Sequence, residues 1–216
     1  MAKQALAEHR PWLLASVIAG CAYYFLWNNP AFEGLWGILL KGAGVALLAV
    51  YAMRRTRGVD GAILVLSLAL SAAGDMAIVL SFEAGGALFA LAHLVAIGLY
   101  ARNLRDAPAA SQRLLALSLA IAAPLVSWLL SERLDIAAYG AILGAMAAGA
   151  WLSRFPRYRV GLGAVLFVAS DWLIFSRLGP VDIAPLPDLA VWPLYYAGQV
   201  MIATGVVQTL RADHER

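Results

Sequence analysis

Residues 112–130 read QRLLALSLAIAAPLVSWLL, a run whose single charged residue, Arg113, lies near its start. The hydrocarbon core of a bilayer is about 30 Å thick, and a helix needs about 20 predominantly apolar residues to cross it. A run of this length and composition therefore predicts a transmembrane helix.

Seven further runs of similar character flank this one. The whole chain is 62% hydrophobic and 13% charged, whereas soluble domains are nearer half apolar and a quarter charged. We therefore predict an all-α, polytopic membrane bundle of eight transmembrane helices, which forms a single transmembrane domain over residues 1–216. The predicted helices cover approximately residues 11–28, 34–53, 60–80, 86–101, 112–130, 135–152, 160–177 and 190–210.

The basic residues between these runs predict an orientation. Positive charge is retained on the cytoplasmic side of a membrane during insertion. With a cytoplasmic N-terminus, the outer segments hold only Arg133 and Arg177. We therefore expect an inner, cytoplasmic-type cell membrane with both termini in the cytoplasm. The inner segments would hold Lys3, Arg10, Arg54, Arg55, Arg57, Arg102, Arg105, Arg113, Arg154, Arg157, Arg159, Arg211 and Arg216.

Several polar side chains lie inside the apolar runs, where an ionisable group is costly and is by default a functional candidate. Counted from the predicted outer ends of their helices, they lie about five to nine residues deep. At about 1.5 Å per residue this is roughly 8–14 Å. We expect one polar cavity that opens more easily to the outer side. The ionisable residues are Lys41, Asp75, His93 and Asp171, and Tyr139, Tyr195, Tyr196 and Gln199 add polar groups.

Structural explanations stand beside these functional ones. Lys41 can extend to an interface or pair with an aspartate for structure alone, and His93 can be a satisfied core histidine. The glycines within the runs are typical of ordinary helix packing. Two carboxylates at similar depth on separate helices, Asp75 and Asp171, are harder to explain by structure alone.

Four short segments together resemble the YhhN family of membrane proteins, which includes the lysoplasmalogenases. The resemblance spans nearly the whole chain and agrees with eight helices. In one departure, the family's second helix usually reads Lys-Pro, whereas Lys41 is followed by Gly42. The segments are Ser71-x-x-Gly74-Asp75, Gly86-x-x-Phe89-x-x-x-His93, Gly163-Ala164-x-Leu166-Phe167-x-x-Ser170-Asp171-x-Leu173 and Tyr196-x-x-Gln199.

The resemblance implies hydrolysis of the vinyl ether bond of lysoplasmalogens, with a lysophospholipid and membrane lipid as partners. Vinyl ethers hydrolyse once they are protonated on carbon, so the reaction needs one protonated acid, one carboxylate and no cofactor or metal. Two close, buried carboxyl groups cannot both ionise cheaply, so one of them keeps a proton. Asp75 and Asp171 are the candidate pair, and the residues leave open which of them is the acid.

The other polar residues are candidates for supporting roles. His93 is expected to relay protons or hold the head group. Lys41 is expected to bind the phosphate or to bias one aspartate toward ionisation. Tyr196 and Gln199 are expected to orient water or the glycerol oxygens, with Tyr139 and Tyr195 nearby. Ser71 and Ser170 are expected to form hydrogen bonds with the backbone or with the neighbouring aspartates.

The same residues bear on several other functions. A zinc hydrolase would need more intramembrane ligands than His93 and Cys21 provide, since His9 and His214 lie in the terminal segments. A serine hydrolase is disfavoured because no G-x-S-x-G occurs, and no pattern indicates nucleic acid as a partner. A proton-coupled transporter and a non-catalytic lipid-binding protein stay open as alternatives. No pattern specifies the oligomeric state.

Overall fold

A computed structural model describes residues 10–215 of the chain. Three of the basic residues and histidines named above, Lys3, His9 and Arg216, lie outside the described residues. A 3-10 turn at Pro30–Phe32 and a π turn at Arg157–Gly161 connect helices. In this part of the chain there are eight α-helices: α1 (Arg10–Leu26), α2 (Leu35–Arg55), α3 (Gly58–Ala77), α4 (Phe82–Arg102), α5 (Ala110–Ser131), α6 (Leu134–Leu152), α7 (Leu162–Ser176) and α8 (Leu186–His214).

The predicted all-α fold is confirmed, and each predicted run coincides with one helix. Seven of the described helices, α2 to α8, are long and apolar enough to cross a membrane. For α7 this length includes the preceding π turn. The described part of α1 spans 17 residues and is apolar but shorter. This length is at the lower limit of about 17 residues for a spanning helix.

The helix ends differ from the predicted ones by a few residues. Helix α4 begins four residues earlier than predicted, at Phe82. There the Ser81 hydroxyl accepts a hydrogen bond from the Ala84 N–H at 3.1 Å and donates one to Glu83 at 3.0 Å. Such a cap satisfies a backbone donor at the start of a helix. The apolar pattern did not predict this first turn of α4, because some of its residues are polar.

The outer surface of the helices is apolar, as a lipid environment requires. On α5 the exposed large side chains Leu114, Leu117, Ile121 and Leu125 recur at intervals of three or four residues. This spacing places them on one helix face. A soluble helix would carry polar residues on its exposed face, so this stripe fits contact with lipid.

The described residues of Met1–Val95 and Leu210–Arg216 form one compact unit, and Ala96–Thr209 form a second. In the first unit α1 contacts α2, where the Ser16 hydroxyl donates to the Gly44 carbonyl at 2.6 Å. Helix α2 approaches α3 at Gly42, where an added Cβ would lie 3.1 Å from the Ala72 carbonyl oxygen and 2.6 Å from Met76 Cγ. The missing side chain at Gly42 therefore lets these helices pack closely.

In the second unit, glycines allow α5 and α6 to pack closely, as the sequence predicted. A Cβ on Gly144 would lie 2.8 Å from the Leu119 carbonyl oxygen, and one on Gly140 would lie 2.6 Å from the Ser127 hydroxyl. Helices α7 and α8 meet at Gly163 and Gly198. A Cβ on either residue would lie within 2.8 Å of the other's carbonyl oxygen.

Hydrogen bonds join two connecting segments of the second unit. Arg154 Nε donates to Asn103 Oδ1 at 2.7 Å, and the Arg154 N–H donates to the Asn103 carbonyl at 2.8 Å. Arg105 donates through its side chain to the Ser153 carbonyl at 3.2 Å and through its backbone to the Leu152 carbonyl at 3.1 Å. The segments after α4 and after α6 are thereby held together.

In the sequence, four tryptophans fall near the outer ends of their predicted helices, where an amphipathic side chain suits the membrane interface: Trp27, Trp36, Trp128 and Trp192. Trp27, Trp36 and Trp128 are exposed, as a position at the membrane interface requires. Trp192 was expected with them but is buried, because its ring stacks on Tyr196 one turn along α8.

Candidate active site

Asp171 lies in the interior of the second unit, on α7, with 5% of its surface exposed. The Tyr139 hydroxyl of α6 donates a hydrogen bond of 2.8 Å to Asp171 Oδ2. The Tyr139 ring meets the Phe175 ring edge-on, with 5.7 Å between the centroids. Tyr139 and Asp171, both predicted from the sequence, are therefore joined directly, and the phenol fixes the orientation of the carboxyl group.

Ser170, the neighbour of Asp171, forms a contact of a different kind. Its buried hydroxyl donates to the Val191 carbonyl of α8 at 2.9 Å. This confirms the expected backbone hydrogen bond and gives Ser170 a role in helix packing. Together with the Gly163–Gly198 contact, it joins α7 to α8 at two levels.

Predicted residues of α8 belong to an aromatic group. The Tyr195 ring meets Phe167 of α7 edge-on at 5.0 Å between centroids. The Tyr196 ring stacks on Trp192 at 5.8 Å and an interplanar angle of 7°. Gln199 Nε2 lies 3.5 Å from the Tyr195 hydroxyl oxygen, a long hydrogen bond. Tyr195, Tyr196 and Gln199 are all buried.

In the first unit, Asp75 lies on α3 with 2% of its surface exposed. The preceding residue, Gly74, leaves room for the Phe89 ring of α4, because an added Cβ would lie 3.1 Å from two of the ring carbons. Ser71 and His93 are buried as well. The third-helix and fourth-helix segments singled out in the sequence therefore contact each other through Gly74 and Phe89.

Lys41 is half-buried on α2. Its Nζ lies 5.8 Å from the centroid of the Tyr23 ring of α1, within the range of a cation–π contact. Tyr23 is in turn close enough to Asp75 to interact with its charge. Tyr23 is thus a polar neighbour of both predicted residues. The sequence did not single it out, because a tyrosine in the first run resembles any interfacial aromatic residue.

The predicted residues spread more widely along their helices than the common depth inferred from the sequence. At about 1.5 Å per residue, Asp75 is about 3 Å from the end of α3 and Asp171 about 8 Å from the end of α7. Lys41 is about 9 Å into α2, His93 about 17 Å into α4 and Gln199 about 20 Å into α8. His93 and Gln199 lie farther from the starts of their helices than predicted, because α4 and α8 begin earlier than predicted.

The site residues thus fall into one group in each unit. Lys41, Ser71, Asp75 and His93 belong to the first unit, where Tyr23 is a neighbour of Lys41 and Asp75. The second unit holds Tyr139, Ser170, Asp171, Tyr195, Tyr196 and Gln199. Among residues 10–215, no three His, Cys, Asp or Glu side chains are grouped so that they could hold a metal ion.

Comparison with known proteins matches residues 36–206 of the chain to the YhhN family. The chain is also similar to two proteins named lysoplasmalogenase, from Mycobacterium bovis (strain ATCC BAA-935 / AF2122/97) and Mycobacterium tuberculosis (strain CDC 1551 / Oshkosh). Each is 31% identical over 193 residues, which covers 82% of this chain and 69% of the relative. No solved structure matches the chain.

Proposed function

This chain belongs to the YhhN family, and from that premise we propose that it hydrolyses the vinyl ether bond of lysoplasmalogens. The products are a fatty aldehyde and a glycerophospho-ethanolamine or glycerophosphocholine. The apolar helices and the family make the chain an integral membrane protein. The proposal draws on the name lysoplasmalogenase carried by both relatives. The structural observation that carries it is the buried carboxyl group of Asp171, held by Tyr139.

The chemistry proceeds through acid catalysis. A carboxylic acid transfers its proton to the outer carbon of the double bond, and the carbon next to the ether oxygen becomes an oxocarbenium ion. Water adds to this cation, and a carboxylate takes up the released proton. The resulting hemiacetal collapses to the aldehyde, and the glycerol oxygen leaves as a hydroxyl. One carboxyl group in each protonation state is therefore sufficient.

Asp75 and Asp171 are proposed to act as this acid–base pair. Both carboxyl groups are buried, which favours proton transfer to an apolar substrate over exchange with bulk water. Tyr139 keeps the Asp171 carboxyl oriented toward the reacting atoms. Ser71 and Ser170 are proposed to support the helices that carry the two aspartates.

The remaining predicted residues are proposed to bind and orient the substrate. Tyr196 and Gln199 position water or the glycerol oxygens, with Tyr195 beside them on α8. Lys41 acts through its charge, with Tyr23 placed against its ammonium group. His93 relays protons within the first unit. The apolar helix faces receive the alkenyl chain from the lipid.

The test is the release of aldehyde from a lysoplasmalogen by purified protein in detergent. Asp75→Asn and Asp171→Asn are each expected to lower kcat by about 100- to 10,000-fold, the usual contribution of a general acid or base. Both variants should be extracted with normal yield. Asp106→Asn is the matched control, because Asp106 lies exposed after α4, and it should keep full activity. Near-normal turnover by either site variant would contradict the pair.

The orientation is a separate proposal, in which both termini face the cytoplasm of a cell membrane. It rests on the uneven distribution of basic residues. Single cysteines can be placed at Asp106 and at Glu132 in a Cys21→Ser background. An impermeant thiol reagent added to intact cells should label the Glu132→Cys variant and not the Asp106→Cys variant. The reverse labelling pattern would overturn the orientation.

A further inference from the structure

A cavity of about 280 Å³ lies beyond the end of α7, within the second unit. It is formed by the last residue of α7, the segment that follows and the first turn of α8. Sites for whole small molecules usually occupy about 300–1,000 Å³. The cavity is therefore suited to a compact polar group and not to an entire lipid. Its charged lining residues are Arg177, Asp182 and Asp188.

The charges in this cavity include both signs and are accessible. Arg177 Nη2 donates to Asp188 Oδ1 at 2.6 Å, with 46% and 55% of the two side chains exposed. An exposed ion pair of this kind contributes about 0–1 kcal/mol, so a competing anion can displace Asp188 at little cost. Asp182 Oδ1 accepts the Ala184 N–H at 2.9 Å, which fixes this carboxylate beside the cavity.

We propose that this cavity binds the zwitterionic head group of the substrate lysophospholipid, with Arg177 on the phosphate and Asp182 on the ammonium group. The inference rests on the proposed function. A guanidinium group binds phosphate through parallel N–H donors, and a carboxylate pairs with an ammonium group. One arginine and one carboxylate thus match the two charges of the head group.

The spacing along α7 fits one substrate molecule. Arg177 follows Asp171 by six residues, which corresponds to about 9 Å along the helix axis. In a lysoplasmalogen the vinyl ether oxygen and the phosphorus are separated by about five bonds of about 1.5 Å each. The long arginine side chain covers the remaining distance. Along the helix axis, this separation allows the ether to lie level with Asp171 while the phosphate reaches Arg177.

The first experiment measures binding, independently of turnover. The probe is a 1-O-alkyl lysophosphoethanolamine, whose saturated ether is not cleaved by protonation, and affinity is measured by calorimetry on full-length protein in detergent. Arg177→Gln is expected to raise Kd by about threefold to tenfold, because parallel hydrogen bonds to phosphate are stronger than an ordinary exposed ion pair. Asp188→Asn is expected to leave Kd unchanged or lower it by up to about fivefold, because Asp188 competes for Arg177.

A matched control is available at another helix end of the same unit. Arg133 pairs with Asp135 at 2.6 Å, with 42% and 62% of the side chains exposed, and does not line the cavity. Arg133→Gln should bind the probe as the unaltered protein does. Equal weakening by Arg133→Gln and Arg177→Gln would overturn the proposal, as would unchanged binding by Arg177→Gln.

Altered probes assign the two charges separately. For 1-O-alkylglycerol, which lacks the whole head group, the unaltered protein and Arg177→Gln should show the same Kd. Asp182→Asn should raise Kd about twofold to fivefold for the ethanolamine probe and leave it unchanged for the alkyl glycerophosphate. If Arg177→Gln raised Kd by the same factor for the phosphate-bearing probe and for 1-O-alkylglycerol, the head-group site would be overturned. If Asp182→Asn raised Kd equally for the ethanolamine probe and for the alkyl glycerophosphate, the assignment of Asp182 to the ammonium group would be overturned.

Aldehyde release separates this inference from the proposed function. If the unaltered protein binds the alkyl probe through Arg177 and releases no aldehyde from a lysoplasmalogen, the hydrolase proposal fails and the head-group site stands. If Arg177→Gln keeps the KM and kcat of the unaltered protein on the lysoplasmalogen, the hydrolase stands and the head-group site fails.

Discussion

The two helices that carry the candidate aspartates, α3 and α7, are packed by glycines but against different partners. On α3, Gly74 precedes Asp75 and faces the Phe89 ring of the neighbouring helix. On α7, Gly163 lies two turns before Asp171 and faces the backbone of Gly198. A ring can shift by a few tenths of an ångström, whereas two helix backbones in contact cannot separate locally. The α7–α8 contact should therefore be the less tolerant of substitution.

The polar neighbours of the two aspartates differ as well. Asp171 accepts a direct hydrogen bond from the neutral Tyr139 phenol. Asp75 lies within electrostatic range of Tyr23, whose ring lies beside the Lys41 ammonium group. One carboxyl group is thus oriented by a hydrogen bond, and the other lies in a group that includes a cation. A catalytic acid and a catalytic base need different pKa values, and different surroundings of two carboxyl groups can provide them.

Among the substitutions around the two aspartates, the largest effect is expected from Tyr139→Phe, which removes the hydroxyl donor to Asp171 and keeps the ring against Phe175. Loss of a hydrogen bond costs about 0.5–1.5 kcal/mol between neutral groups and about 1.5–3 kcal/mol with a charged one, so kcat/KM for aldehyde release should fall by about 3- to 100-fold. Tyr158→Phe is the control, because Tyr158 is exposed in the π turn. Unchanged kcat/KM for Tyr139→Phe would show that this hydrogen bond does not position the carboxyl group.

Gly198→Ala should cause the next largest effect, on stability. The added Cβ would lie 2.6 Å from the Gly163 carbonyl oxygen. Overpacking costs about 1–3 kcal/mol, and the better helix propensity of alanine offsets about 1 kcal/mol. We expect a net loss of up to about 2 kcal/mol, measured by thermal unfolding in detergent.

Gly98→Ala is the matched control for this substitution, because no atom lies within 4 Å of a Cβ at Gly98 in the same unit. It should be neutral or slightly stabilising. If the two alanine variants unfold at the same temperature, the α7–α8 contact is not rigid.

Lys41→Met tests the polar group around Asp75, and its effect on activity should be smaller. A cation–π contact contributes about 0.5–2 kcal/mol, so kcat/KM should fall by about twofold to thirtyfold. Lys41→Arg keeps a cation at this position and should restore most of the activity. Equal losses in the two variants would exclude a role for the positive charge.

Gly74→Ala should have the smallest effect, a loss of less than about 1 kcal/mol, because the Phe89 ring 3.1 Å away can move. Adding Phe89→Leu to Gly74→Ala should reduce that loss by relieving the contact, even though Phe89→Leu alone destabilises the core. A double variant whose loss equals the sum of the two single losses would show that Gly74 and Phe89 do not interact.

The fold could be predicted from the sequence because apolar runs of nearly 20 residues have few alternatives in a membrane. The helix ends could not, since they depend on local hydrogen bonds such as the cap at Ser81. The burial of Trp192 could not be predicted from the sequence either. Its position near a helix end predicted an interfacial ring, and its packing on Tyr196 placed it inside. Which face of a helix is buried depends on the neighbouring helix, and no local pattern records that.

The candidate site, like the fold, could be predicted from the sequence only in part. The cost of placing ionisable groups in lipid singled out Asp75 and Asp171 without any structure. The specific partnership of Tyr139 with Asp171 joins residues 32 positions apart in the sequence, so spacing alone could not predict it. Tyr23 was missed because its contact with Lys41 joins two different helices.

The length of α8 has a consequence for the membrane around it. Its 29 residues extend about 44 Å at about 1.5 Å per residue, well beyond the hydrocarbon thickness of about 30 Å. A helix of that length must tilt, bend or protrude into water, and the extent of each depends on the thickness of the bilayer. Tyr195, Tyr196 and Gln199 lie on α8, so the acyl length of the surrounding lipid is expected to influence the site through this helix.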